Sequence, residues 1–201
     1  MKTQIILVDW ENVQPELLPA LSLENTRLLV FIGPHQNKLP FPVVQAVQML
    51  GARAQYVQVS KQGNDALDMH IAFYIGRLAS ELKDAYFHVI AKDRDYDPLI
   101  AHLRSLDIGA AKWPDLASIP VFKRAAAVTL KDQLVAAKDW LRERRINRPK
   151  TLKTLTNSLK TVAFSGRLTD EEIGLLLKAL RDEGLIDVQG QKVTYAGQLD
   201  A

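Results

Sequence analysis

Ile5-Ile6-Leu7-Val8-Asp9-Trp10-Glu11-Asn12 carries an unbroken apolar run straight into an acidic, polar turn. A run this short, bounded by turn residues and without alternation, reads as a strand buried on both faces, as the inner strands of a parallel sheet are. Phe87-His88-Val89-Ile90-Ala91 repeats the pattern and runs into Lys92-Asp93-Arg94-Asp95-Tyr96-Asp97. Two buried strands therefore deliver carboxylates to one edge of a sheet. In an open α/β sheet the carboxyl ends of the strands form the crevice where ligands bind. Carboxylates gathered there repel one another unless a cation neutralises them, and hard divalent cations take oxygen ligands alongside water and substrate phosphates. Divalent-metal chemistry is the first expectation.

Working outward, residues 4–9 read as a strand, followed by a polar turn and a short helical piece over 15–21. Residues 27–32 form a second strand closed by Gly33-Pro34, 41–50 a helix that stops at Gly51, and 52–59 a third strand alternating enough to lie near an edge. Over 65–82 the residues Leu67, Ile71, Ile75, Leu78 and Leu82 mark one face of a long amphipathic helix with Asn64 as its cap. Residues 87–91 are the fourth strand, 98–106 a helix with Leu99, His102, Leu103 and Leu106 inward, and 108–113 a fifth strand. Strand–helix alternation predicts an α/β fold, a mostly parallel, doubly wound sheet.

The remainder reads differently. Residues 115–130 are a closing segment leading to a second domain, so the expected division is 1–128 and 129–201. Leu130, Leu134, Ala137 and Leu141 make one helical face, and Leu152, Leu155, Leu159 and Val162 another. Thr169 and Glu172 have capping-box spacing ahead of Ile173, Leu176, Leu177 and Leu180, with Gly184 as the stop. Two short strands about Gln189-Gly190 complete a hairpin. Three helices followed by a hairpin is the layout of a winged helix.

Composition narrows the chemistry. The chain has 201 residues, 47% of them apolar, and no cysteine, so disulfides and thiolate zinc sites are excluded. Its four histidines lack paired ligand spacing. No run approaches the roughly 20 apolar residues of a membrane span, and the apolar run broken by Asp9 is too short for a signal-peptide core; cytoplasmic residence without a membrane partner is expected. The net charge of +3 conceals an asymmetry, because residues 131–160 hold nine basic residues against three acidic ones. Clustered basic residues release counterions on binding phosphate, which makes a polyanion such as nucleic acid the expected partner. Arg142, Arg144, Arg145, Arg148, Lys150 and Lys153 carry that charge, whereas residues 170–183 hold five acids against Lys178 and Arg181. The third helix is therefore not expected to read bases, and the basic residues are expected to hold a nucleic-acid backbone. Docking to a protein partner is the competing role for this module.

An EF-hand loop over Asp93-x-Asp95-x-Asp97 is excluded, since its sixth and twelfth positions hold Pro98 and Arg104 instead of glycine and glutamate. A phospho-aspartate phosphatase wants Asp-x-Asp on the first strand, where Asp9-Trp10-Glu11 stands. No phosphate-binding glycine loop or nucleophile elbow occurs.

Ile6-Leu7-Val8-Asp9-Trp10-Glu11-Asn12-Val13, Gly63-Asn64-Asp65-Ala66-Leu67-Asp68 and Ile90-Ala91-Lys92-Asp93-Arg94-Asp95-Tyr96-Asp97-Pro98-Leu99-Ile100 together resemble the three motif blocks of PIN-like nucleases. The likeness spans residues 2–113 and is to the NYN and related bacterial PIN-like branch in particular. It implies a Rossmann-like fold in which acids of the first strand, a central helix and the fourth strand bind Mg²⁺ or Mn²⁺ and activate water against a phosphodiester, RNA being favoured over DNA. Carried over by position, Asp9, Asp68 and Asp93 are the catalytic and metal-binding acids, and Asn12 is the accompanying amide. The helix acid stays open between Asp68 and Asp65, which are three apart. Asp95 fits the NYN-like pattern, and Asp97, as a further metal ligand, fits the closer branch. Lys61 and Lys92 fall near the crevice and are expected to contact phosphate. A protein that keeps this fold but binds nucleic acid without turnover, or acts only when a partner releases it, is the alternative.

Overall fold

The computed structural model describes residues 2–15, 25–59, 63, 65–92 and 94–200. The expected helix over 15–21 lies largely outside them. The chain divides into two compact units, Met1–Ile119 and Pro120–Ala201.

In the first unit five strands, β1 (Thr3–Asp9), β2 (Thr26–Ile32), β3 (Ala54–Gln58), β4 (Ala85–Ile90) and β5 (Ala110–Trp113), form one sheet in the order β3-β2-β1-β4-β5. All of its pairings are parallel. The central position of β1 explains its unbroken apolar run: Ile5, Ile6, Leu7 and Val8 have no exposed surface. The alternating β3 is an edge strand, as its sequence predicts, with Val57 its buried member.

Helices α1 (Phe41–Met49), α2 (Ala66–Glu81) and α3 (Asp97–Ser105) connect the strands. Leu67, Ile71, Ile75 and Leu78 of α2 pack with Ile5, Leu7, Phe31, Phe87 and Val89 on one face of the sheet. The helix begins at Ala66, and its N-cap is Asp65 in a left-handed conformation (φ 58°), which aspartate tolerates better than most residues. Asn64, the expected cap, lies outside the described residues. In α3 the inward positions are Ile100 and Leu103, while Leu106 is 57% exposed and His102 faces solvent.

His88 sits on β4 among the apolar residues, 3% exposed. Its Nδ1 accepts the indole N–H of Trp113 at 2.9 Å, which leaves the ring proton on Nε2 to donate to Gln4 Oε1 at 2.8 Å. The neutral ring thereby ties β5 to β4 to β1.

The second unit contains α4 (Pro120–Ala126), α5 (Leu130–Glu143), α6 (Leu152–Ser158), α7 (Asp170–Asp182) and a hairpin of β6 (Ile186–Gln189) and β7 (Lys192–Tyr195). Its boundary precedes the expected 128/129 because α4 packs on α5: Lys123 pairs with Asp139 at 2.6 Å and Arg124 with Glu143 at 3.3 Å. At the start of α7 Thr169 and Glu172 bond reciprocally, as their spacing predicts. The helix ends at Gly184 (φ 65°), where the Gly184 and Leu185 N–H groups bond the carbonyls of Arg181 and Leu180. A π turn over Leu159–Ala163 follows α6, and this wider turn moves the inward register by one residue. Ala163 is buried in place of the expected Val162, which is 47% exposed.

Burial pushes the His88 pKa down from 6.5 to about 3. A ring held neutral in the folded chain is protonated first in the unfolded chain, so its contribution is fully present above about pH 6.5 and is lost as pH falls towards 3. Denaturant titrations across that window should show a stability slope approaching about 1.4 kcal/mol per pH unit from this residue. The slope should be absent in His88→Gln; an equal slope in the variant would assign the acid sensitivity to other groups.

Candidate active site

Asp9 is the last residue of β1, and no part of it is exposed. An isolated charge there would be costly, so its oxygens must be satisfied locally. The chain turns at once: Val13 N–H bonds the Asp9 carbonyl at 2.9 Å, and this turn brings Asn12 back over the carboxylate. Asn12 donates its backbone N–H to Asp9 Oδ1 at 3.1 Å and its side-chain amide to Oδ2 at 2.9 Å. The accompanying amide of the sequence motif therefore holds and orients the acid.

A third donor comes from far along the chain. Tyr96, 1% exposed just before α3, donates its hydroxyl to Asp9 Oδ2 at 3.2 Å and is also hydrogen-bonded to the Asp68 carboxylate. Asp68 is in the first turn of α2, where the unsatisfied N–H groups and helix dipole favour negative charge. Between the two helix acids, the structure brings Asp68 to Asp9 and leaves Asp65 exposed on the αL cap. The Tyr96 pKa is raised well above its usual 10, first by burial, then by its hydrogen bond to Asp68 and the charges of Asp9 and Asp68. Its phenol keeps its proton and holds two carboxylates together. Counting acids along the sequence passes over Tyr96; a tyrosine between Asp95 and Asp97, just beyond a buried strand, is the signal the sequence offers for it.

The other expected residues have varied fates. Asp93 and Lys61 lie outside the described residues. Lys92 is exposed immediately beyond β4. Asp95 is exposed on the same loop. Asp97 opens α3 and pairs with Lys112 of β5 at 2.8 Å, which braces that helix to the sheet. Among the described residues no group of three or more histidine, cysteine, aspartate or glutamate side chains forms a metal cluster. The donor set nevertheless fits a hard cation: two carboxylates meet at one hydroxyl, and Mg²⁺ is commonly held by one or two carboxylates with waters and substrate phosphates.

In the second unit the basic residues separate into two kinds. Lys150 and Lys153 are exposed. Arg145 is largely exposed beside Asp200, and Arg142 pairs with Asp139 at 3.7 Å. Arg144 lies over the Trp140 ring, its guanidinium carbon 4.7 Å from the centroid. Arg148, expected on the nucleic-acid face, is turned inward: its side chain is 7% exposed, donates to the Leu141 and Leu199 carbonyls at 2.8 and 2.7 Å, and pairs with Asp200 at 2.8 Å. It is a structural tie between the end of α5 and the C-terminal segment.

A parallel five-stranded sheet with paired carboxylates at its carboxyl edge defines a Rossmann-like α/β domain, whose ligand crevice lies at that edge. A sequence model of the PIN domain matches residues 3–111, more than half of the chain, and the protein belongs to that family. PIN domains are nuclease-type domains, usually metal-dependent and generally using Mg²⁺ or Mn²⁺. No curated protein and no solved structure matches the chain significantly.

Replacing Tyr96 by phenylalanine removes the proton shared by Asp9 and Asp68 while leaving the ring. Urea denaturation in chelator should show Tyr96→Phe less stable than wild type by about 1–3 kcal/mol, the cost of leaving buried polar groups unpaired. Equal stability would mean that the hydroxyl does not hold the two acids.

Proposed function

We propose that the protein is a metal-dependent nuclease that hydrolyses phosphodiester bonds, with RNA as the favoured substrate and Mg²⁺ or Mn²⁺ as cofactor. The observation that carries this reading is the meeting of Asp9 and Asp68, from two distant elements, at the Tyr96 hydroxyl on the carboxyl edge of the sheet. Asp9 and Asp68 would hold the cation, joined by Asp93 of the same motif set. The bound cation supplies positive charge for phosphoryl oxygens and a lowered pKa for coordinated water. Asn12 keeps the Asp9 carboxylate oriented, Tyr96 keeps Asp68 beside it, and Lys92 offers a positive charge to a substrate phosphate. Asp65 and Asp95 are supporting acids near the same edge. The likeness to the NYN and related bacterial PIN-like branch rests on the same motifs.

The second unit is proposed to be a winged-helix-like module whose exposed Arg145, Lys150 and Lys153, with Arg142 and Arg144, hold the backbone of the substrate. Docking to a protein partner is the other role open to it. The setting of the protein is proposed to be cytoplasmic; no helix among the described residues is long and apolar enough to cross a membrane.

One observation favours a second reading. Both oxygens of Asp9 already accept hydrogen bonds from Asn12 or Tyr96, as in a carboxylate used structurally. A PIN-domain protein that binds nucleic acid without turnover, or is released by a partner, would have that arrangement.

Cleavage of labelled single- and double-stranded RNA and DNA with Mn²⁺, Mg²⁺ or chelator separates the two. Metal-dependent cutting of RNA, lost in Asp9→Asn, Asp68→Asn and Asp93→Asn, is the expected result. Binding without cutting would favour the second reading, and equal cutting by the variants would reveal a contaminant.

Filter binding tests the second unit separately. An Arg145, Lys150 and Lys153 triple alanine variant should bind single-stranded RNA more weakly, with a log–log salt slope shallower by about 2, close to 0.7 for each phosphate no longer neutralised. An unchanged slope would assign this face to another partner.

A further inference from the structure

An open cleft, about 420 Å³ with the solvent at its mouth included, is lined by Glu11, Pro34, His35, Gln36, Val59 and Leu67, among others. Ala66 and Leu67 also line it and belong to the same first turn of α2 as Asp68; Glu11 follows Asp9 by two residues. A nucleotide whose phosphate met a cation held by Asp9 and Asp68 would thus have this cleft near its base.

Pro34, Val59 and Leu67 supply apolar wall. Gln36 is already committed, its carbonyl accepting the Gly33 N–H and its amide donating to the Trp10 carbonyl, both at 3.1 Å. Glu11 places a carboxylate in the cleft at a position that depends on Gly33. A Cβ at residue 33 would stand 2.4 Å from Glu11 Oε2, so any larger residue there would shift the carboxylate from this position. A carboxylate repels phosphate and accepts from N–H groups. Its two oxygens match two parallel donors, as in the bidentate pairs that carboxylates form with guanidinium.

We propose that this cleft is a nucleobase subsite for single-stranded substrate and that Glu11 selects guanine. Guanine presents adjacent N1–H and N2–H donors on its Watson–Crick edge, whereas adenine and cytosine offer a single amino group there and uracil a single imino N–H. Such edges are open to side chains in unpaired RNA, where sequence-specific recognition occurs. The inference rests on the nuclease reading for its consequence in cutting, and on the cleft alone for its consequence in binding.

Two measurements separate those levels. Wild type, Glu11→Gln and Gly33→Ala are compared on single-stranded oligoribonucleotides carrying one G, A, C or U at otherwise identical sites. The same three proteins are titrated with 5′-GMP, 5′-AMP, 5′-CMP and 5′-UMP in chelator. Guanine should be preferred by about tenfold or more by wild type, and both variants should lose that preference; Gly33→Ala does so without altering the carboxylate. Loss of all cutting in every protein would end the nuclease reading, leaving the GMP titration to decide the subsite. Absence of guanine preference in both assays, or its persistence in both variants, would overturn the proposal. Equal loss of cutting on all four substrates in Glu11→Gln, with no GMP preference in wild type, would instead place Glu11 at the cation.

Discussion

A carboxylate with no exposed surface at the end of the central strand constrains the elements around it. The strand order sets Asp9 deep in the domain by placing β1 between β2 and β4. A charge so placed needs donors, and the fold supplies them from two directions, a tight turn that returns Asn12 and a loop before α3 that delivers the Tyr96 hydroxyl. Because that hydroxyl also bonds Asp68, the starts of α2 and α3 are coupled through one proton. The result is two like charges kept side by side, an arrangement that a divalent cation or an enclosed proton stabilises and that water alone would not favour.

The two units divide chemistry and charge between them. Met1–Ile119 has an apolar core on the α2 side of its sheet and collects acids at one edge. Pro120–Ala201 has a separate core that includes Trp140, Leu155, Phe164 and Leu176, and carries the basic excess on its surface. The PIN domain match, to a family of generally nuclease-type domains, falls within the first unit. In the second, part of the apparent basic patch has gone inward. Arg148 satisfies two carbonyls and Asp200, and Arg124 pairs with Glu143, so the charge available to a ligand is smaller than the sequence total suggests.

Elements held by local rules were legible in the chain. Buried strands announced themselves as apolar runs; the repeat of Leu67, Ile71, Ile75 and Leu78 gave α2; Thr169 with Glu172 gave the start of α7. Errors arose where geometry departs from a constant period or where a side chain takes a distant partner. The π turn over Leu159–Ala163 breaks the spacing that pointed to Val162, and His102 and Leu106 share a helical stripe with buried residues yet face outward near the end of a short helix. The pairing of Asp97 with Lys112 on the neighbouring strand was likewise invisible at that distance in sequence.

At the candidate site, the sequence by itself determined that acids stand at the carboxyl ends of two buried strands and at the start of a helix, because hydrophobic period and turn chemistry are written in consecutive residues. Tertiary structure alone decided that Asp68 rather than Asp65 meets Asp9 and that a tyrosine joins them. It also decided that Arg148 is a buried tie, and that His88 is a neutral bridge between Gln4 and Trp113. Those outcomes depend on hydrogen bonds between residues up to 87 positions apart, whose formation follows from the packing of whole elements and has no periodic trace in the chain.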